Sequence, residues 1–269
     1  MTETNGKSAL IRGVLLDIGG VLYQGGEVIP GAPGAVTRLR DAGLRIRFLT
    51  NSTRQPKRRI VEKLRSFGID VEPEEVMTPA AAACSWLEEN SRSPHLLIHP
   101  DLEEDFAGCP GAGPTAVVVG DAGPCFTYDR LNTAFREIDR GAPFIALAAN
   151  RVFRDDDGEL SLDAGAFVRA LEHASGSEAL LMGKPSAAFF LAGVAGLGCD
   201  PVQVAMVGDD AESDVAGGFK AGLGMGVLVK TGKYRDGDES FCQSDRALTV
   251  EDIEAAVEVI LQEAGRASV

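Results

Sequence analysis

Hydrophobic and polar positions along this chain fall into two repeating textures. Short apolar runs recur at Val14-Leu15-Leu16, RIRFLT (45–50), HLLIHP (95–100), TAVVVG (115–120), PFIALAA (143–149), EALLM (178–182), VQVAMVG (202–208) and GMGVLVK (224–230). Runs of this length, bounded by glycine, proline or polar residues, read as buried strands. Between them lie segments with helical periodicity. One covers 33–42, with Val36 and Leu39 on its face and Gly43 closing it. Another covers 57–67, with Ile60, Val61 and Leu64 inward and Gly68 at its end; glycine is the usual residue just past a helix. Further helices are predicted over 80–89, 127–139 (capped by Thr127), 163–174, from Ser186 onward, and 250–264. The stretch VLYQGGEVIPGA (21–32) predicts a small hairpin turning at Gly25-Gly26.

Alternating strand and helix imply an α/β protein with a doubly wound parallel sheet. The texture changes near Thr78-Pro79, and the block beyond it carries a strand–helix alternation of its own. The expected organisation is an outer domain of residues 1–78 and 179–269, with a second α/β domain, 79–178, inserted into it. Residues 1–9 are polar and read as a loose tail.

Length and composition narrow the class. The 269 residues are 45% hydrophobic and 25% charged, with no apolar run of membrane-spanning length and no basic start leading into an apolar segment. The five scattered cysteines form no CxxC pair, which argues against a zinc site or a disulfide framework and for a reducing cytoplasm. A formal net charge of −14 speaks against nucleic acid, whose phosphates call for clustered Lys and Arg. The three histidines show no ligand spacing. If the substrate is a phosphate ester, a chain this acidic must bring a cation to it.

Chemistry collects outside the carboxyl ends of strands in open parallel sheets. Four such ends carry polar groups here: Asp17; Thr50 with Asn51 and Ser52; Lys184; and Asp209 with Asp210 and Asp214. Each alone has a bland reading, since Asp and Thr cap turns and helices. The acidic turn is harder to dismiss. Asp210 and Asp214 stand i,i+4, a spacing at which like charges destabilise a helix, with Glu212 crowding them further. A divalent cation would relieve that conflict, and Mg²⁺ characteristically takes one or two carboxylates together with phosphate oxygens.

In order, these segments read LLDIGGVL, FLTNS, GKPS and MVGDDAESD, and in that order they resemble the four motifs of the haloacid dehalogenase superfamily. The position of the inserted domain resembles its NagD-like branch with an α/β cap, and RFLTN, HLLIH, VVVGDAG and VKTGK resemble phrases of a phosphatase that acts on P–N and pyrophosphate bonds. The resemblance implies a Mg²⁺-dependent phosphatase. Asp17 would attack phosphorus and become an aspartyl phosphate. Asp17, the Gly19 carbonyl, Asp209 and Asp214 would hold the metal. Thr50, Asn51, Ser52 and Lys184 would hold the phosphoryl oxygens. Asn150 and Arg151, after the strand PFIALAA, are the candidate cap residues facing the phosphate, and the resemblance implies a homodimer.

One position departs from the family pattern. Two residues after the nucleophile the family usually carries an Asp that acts as general acid and then base; here it is Gly19. General acid–base help typically contributes about 10²–10⁴-fold. Lacking it, the enzyme is expected to favour bonds whose leaving group departs unaided: P–N bonds as in phosphohistidine or phospholysine, pyrophosphate, or aryl phosphates, on a small molecule or a phosphoprotein side chain. The alternatives are a phosphatase of small phosphomonoesters and a catalytically weak protein that binds a phosphorylated partner. Haloacid dehalogenases also lack the second Asp but work without metal, so the acidic turn counts against dehalogenation. GDA at 120–122 mimics the fourth motif from within the inserted domain and is read as structural.

Overall fold

The computed structural model describes residues 10–154, 159–242 and 244–265; the polar start lies outside them. The chain divides into two compact units, the first made of Met1–Leu49, Leu64–Glu75 and Phe190–Val269, the second of Thr50–Lys63 and Val76–Phe189.

The first unit contributes five neighbouring parallel strands in the order Ala247–Val250, Met225–Val229, Val204–Gly208, Gly13–Asp17, Arg45–Leu49. Gly13–Asp17 lies inside this row because the chain first steps to one side, to Arg45–Leu49, and returns much later on the other, at Val204–Gly208. The strand order therefore reverses at Gly13–Asp17, the place where open α/β sheets bind ligands. Every residue of Gly13–Asp17, Val204–Gly208 and Met225–Val229 is buried. That explains their continuous apolar runs, since strands covered on both faces lose the alternating pattern. The helices Ala32–Asp41 and Ile253–Gly265 bury Val36 and Leu39, and Val257 and Ile260. An open cavity of about 540 Å³ lies where Arg45–Leu49 begins. Its arginines close the end of the helix Ala187–Ala195: Arg47 donates to Ala192 O, and Arg45 to Leu197 O and Gly198 O.

The second unit has a four-stranded parallel sheet in the order Leu180–Leu181, Phe144–Ala146, Thr115–Val119, Ser93–Leu97. The period of two along a strand places its side chains on alternate faces. On Thr115–Val119, Ala116 and Val118 join one cluster with Ala83, Leu87 and Leu102. Val117 and Val119 join the other with Ala134, Ile138, Val168 and Leu171. The flanking helices are thus Pro79–Glu89 on one face, and Tyr128–Asp139 and Ala164–Ser175 on the other. Thr127 caps its helix as expected, accepting from Arg130 N at 3.4 Å.

The hairpin forms between Tyr23–Gln24 and Glu27–Val28. Two elements lacked a signal in the sequence. Ala247–Val250 is half-exposed and carries no apolar run, and the pair Val152–Arg154 with Leu160–Leu162 leaves Val152, Leu160 and Leu162 exposed. The segment after Val204–Gly208 is a single wide helical turn, Ala211–Ala216, leading into Gly217–Lys220. No helix among the described residues is long and apolar enough to cross a membrane.

Candidate active site

The acidic centre belongs to the first unit. Asp17 is the last residue of its strand, paired with Leu49, and only 6% exposed. Asp209 immediately follows Val204–Gly208, the adjacent strand, and is 1% exposed; Asp214, in the wide turn, is fully buried. One carboxylate oxygen from each of the three lies within 4.8 Å of the others. Three acids this close and this buried repel one another strongly. Burial first, then the charges of Asp17 and Asp214, push Asp209 up to about 8.

The crowding differs in detail from the sequence reading. Asp210 is not in conflict with Asp214. It caps the wide turn, accepting from Ser213 N at 2.9 Å, and lies 3.7 Å from the Lys233 ammonium. Its own N–H donates to Asp214 Oδ2 at 3.2 Å. The third member of the cluster is Asp17, supplied by the strand next door rather than by the same turn.

Asp209 Oδ1 is a buried carboxylate oxygen with no hydrogen-bond partner among the described residues. An acceptor left bare in this way carries the full desolvation penalty. Three carboxylates with one such oxygen fit a hard divalent cation, which prefers oxygen ligands. Around them, Ile18–Tyr23 folds into a tight turn: Leu22 N donates to Ile18 O at 3.0 Å and Gly20 N to Tyr23 O at 2.8 Å. Gly19 is exposed, and a Cβ placed on it would meet nothing within 4 Å. The Tyr23 phenol is raised by burial and by the charge of Asp17.

A segment without a role in the sequence reading also reaches this centre. After Met225–Val229, Thr231, Gly232 and Lys233 pass over Asp209 and Gly20. Lys233 N donates to Asp209 Oδ2 at 2.7 Å, and Thr231 Oγ1 donates to Gly20 O. Partial desolvation works against the Lys233 ammonium, whose side chain is 66% exposed, but Asp209, Asp17, Asp210 and Asp214 together hold it above its usual value.

The second unit gathers the other predicted residues. Asn51 clasps Lys184 from both sides, donating to its carbonyl at 2.9 Å and accepting from its N–H at 2.8 Å. Thr50 Oγ1 accepts from Ser52 N at 3.0 Å, shaping the loop Thr50-Asn51-Ser52. Thr50 and Lys184 are both buried. Asn150 is placed beside the buried Asp163, to which its side chain is hydrogen-bonded, while Arg151 is exposed. The mimic at 120–122 is engaged elsewhere: Asp121 is buried, paired with Arg54, and accepts from Gly123 N at 3.0 Å.

A carboxylate at the end of the switch-point strand, with two more acids following the neighbouring strand, defines a haloacid dehalogenase-like hydrolase. The chain belongs to that family: residues 14–109 match haloacid dehalogenase-like hydrolase and residues 181–256 match a HAD-hydrolase-like family. It is 42% identical over 252 residues to human haloacid dehalogenase-like hydrolase domain-containing protein 2, covering 94% of this chain and 96% of that one. It is 41% identical over 257 residues to phospholysine phosphohistidine inorganic pyrophosphate phosphatase of Danio rerio, covering 93% and 94%. Similar solved structures include 4-nitrophenylphosphatase from Thermotoga maritima, with a TM-score of 0.83 at 26% identity over 93% of this chain and 97% of that one. NagD from E. coli K-12 gives 0.80 at 25% identity, over 91% and 98%. The fold is the family's α/β fold, NagD-like by its neighbours, and the protein is an enzyme of the phosphatase kind.

Proposed function

We propose that the protein is a Mg²⁺-dependent phosphatase that works through an aspartyl phosphate on Asp17 and favours P–N or pyrophosphate bonds. The observation that carries this reading is the buried triad Asp17, Asp209 and Asp214 with its bare Asp209 oxygen. Asp17, the Gly19 carbonyl and Asp209, with Asp214 behind them, would hold a Mg²⁺ that neutralises the centre and draws the phosphoryl group in. Asp17 attacks phosphorus, the bond to the leaving group breaks, and a carboxylate–phosphorus bond replaces it. Water then releases phosphate and restores Asp17. Thr50, Asn51, Ser52 and Lys184, carried over from the family's second and third motifs, bind the phosphoryl oxygens. Asn51 serves by fixing the Lys184 backbone. Residues 1–78 and 179–269 form the catalytic core in this reading, and 79–178 the cap, with Asn150 and Arg151 its substrate-facing residues.

The bond preference rests on Gly19. With no carboxylate there to protonate an alkoxide, the substrates served best are those whose leaving group needs no proton from the enzyme: an amine that carries its own, or a phosphate. The name of the Danio rerio relative points to the same bonds. The family resemblance also supports a homodimer acting on small phosphorylated molecules or phosphoprotein side chains, and the five free cysteines support a reducing cytoplasm.

Phosphate release from phosphoimidazole, phospholysine, pyrophosphate, an aryl phosphate and several sugar phosphates tests the preference. The first four are expected to exceed the sugar phosphates by about a hundredfold or more, the low side of general-acid effects. Sugar phosphates turned over equally fast would overturn it. Binding of phosphate and Mg²⁺ without turnover of any substrate would leave a binding protein instead.

A further inference from the structure

We infer that Thr231-Gly232-Lys233 is a positioning strap for the metal centre, holding Asp209 and the Gly19–Gly20 turn in the geometry that receives a divalent cation. The inference rests on the metal reading above and assigns new residues to it.

Asp209 has two oxygens with different surroundings. Oδ2 accepts from the Lys233 backbone N–H at 2.7 Å, whereas Oδ1 is buried and bare. A carboxylate anchored at one oxygen cannot swing about its χ2 to satisfy the other, so the strap fixes which oxygen is left for a cation. The approach is too close for any side chain. A Cβ on Gly232 would stand 2.0 Å from Asp209 Oδ2 and 2.6 Å from Gly20 Cα, and one on Gly20 would stand 2.0 Å from the same Asp209 oxygen. Both glycines have positive φ, +68° and +76°, a conformation other residues adopt only with strain. Two glycines from distant parts of the chain thus face each other across one carboxylate oxygen.

The third contact acts on the turn. Thr231 Oγ1 donates to Gly20 O, and Gly20 N donates to Tyr23 O. The peptide joining Gly19 to Gly20 is planar and trans, so its carbonyl points opposite to its N–H. With that N–H committed to Tyr23 and the next carbonyl committed to Thr231, the Gly19 carbonyl has its direction set from both sides. Residue 19 carries no side chain of its own to hold the turn, so Thr231 supplies an external tether. Lys233 contributes its backbone N–H, and its side chain reaches instead to Asp210.

The test is Mg²⁺ affinity measured by isothermal titration calorimetry on the full chain, with phosphate release recorded against Mg²⁺ concentration. Thr231→Val removes the hydroxyl and keeps the shape. It is expected to weaken Mg²⁺ binding about three- to tenfold, the range for one hydrogen bond, and to raise the Mg²⁺ needed for half-maximal rate while leaving the rate at saturating Mg²⁺ near the parent value. Thr231→Ser, which retains the donor, is expected to restore affinity. Gly232→Ala is expected to lose more, and Thr231→Val keeps the test decisive if that variant fails to fold. Parent-like Mg²⁺ affinity in Thr231→Val would overturn the strap while leaving the phosphatase reading intact. A parent protein that binds no Mg²⁺ would instead overturn the metal reading on which the strap depends.

Discussion

Gly19 stands where the motif resemblance implies a second Asp, and its surroundings make that difference testable. A Cβ there meets nothing within 4 Å, and the position is not one of positive φ. Gly19→Asp is therefore expected to fold normally and to place a carboxylate beside the nucleophile. If the missing acid limits alkoxide departure, that variant gains on sugar phosphates by about tenfold or more, up to the 10²–10⁴ of general acid–base catalysis. Its rate on pyrophosphate should change little, and the ratio of the two rates is the quantity to measure. Asp209 is expected to make metal binding depend on pH. Burial and the charges of Asp17 and Asp214 hold its proton up to about pH 8, so a cation that binds the carboxylate must displace that proton. Mg²⁺ affinity is expected to fall about tenfold per pH unit below pH 8, with close to one proton released on binding; calorimetry in buffers of different ionisation enthalpy counts it. Affinity that stays flat from pH 6 to 8 would contradict this.

At the scale of elements, the loop Thr50-Asn51-Ser52 and the segment leading to Lys184 are held together by one side chain. Asn51 satisfies both the N–H and the C=O of Lys184, and Gly183 leaves it room: a Cβ there would stand 2.8 Å from Asn51 Oδ1. Asn51→Ala removes the partner of both backbone groups and is expected to cost about 2–6 kcal/mol, at about 1–3 kcal/mol for each. Chemical denaturation measures it, and a loss below about 0.5 kcal/mol would show that the clasp contributes little.

Much of this was legible in the chain. Short apolar runs ending abruptly in Asp17, Thr50 and Asp209 marked both the strands and the polar groups at their ends, since strands buried on both faces read as continuous apolar runs, as Gly13–Asp17 and Val204–Gly208 do. The half-exposed strand Ala247–Val250 was not legible, since neither a run nor an alternation marks it. The role of Thr231-Gly232-Lys233 was hidden for a different reason: the strap acts through a hydroxyl, a backbone N–H and the absence of a Cβ. None of these leaves a pattern of hydrophobicity or charge. The acidic turn was half legible. Its excess of carboxylates was plain, but only the strand order shows that the conflict lies with Asp17 across the sheet rather than between Asp210 and Asp214.

For the whole molecule, the buried triad makes stability depend on pH and metal together. Asp209 holds its proton more tightly in the folded chain than in the unfolded one, where an aspartate titrates near pH 4. Between about pH 4 and pH 8 the folded state therefore binds more protons, and the metal-free protein loses stability as pH rises through that window. The contribution of Asp209 is fully present below about pH 4 and is lost as pH rises through its folded value. Saturating Mg²⁺ is expected to remove this decline near pH 8 and to add about 2.7 kcal/mol at a hundredfold excess over its dissociation constant. Thermal unfolding across pH, with Mg²⁺ and with EDTA, reads both effects. With a formal charge of −14 on the chain, bringing an anionic phosphate to Asp17 without a cation would set like charges together, a conflict that a bound cation would relieve. Metal-dependent phosphatase activity through Asp17 is tested most directly by phosphate release from pyrophosphate or phosphoimidazole. Parent and Asp17→Asn are compared, each with Mg²⁺ and with EDTA. Turnover by the parent in Mg²⁺, absent in EDTA and in Asp17→Asn, is the predicted result; turnover that survives either EDTA or the loss of the Asp17 carboxylate would contradict it.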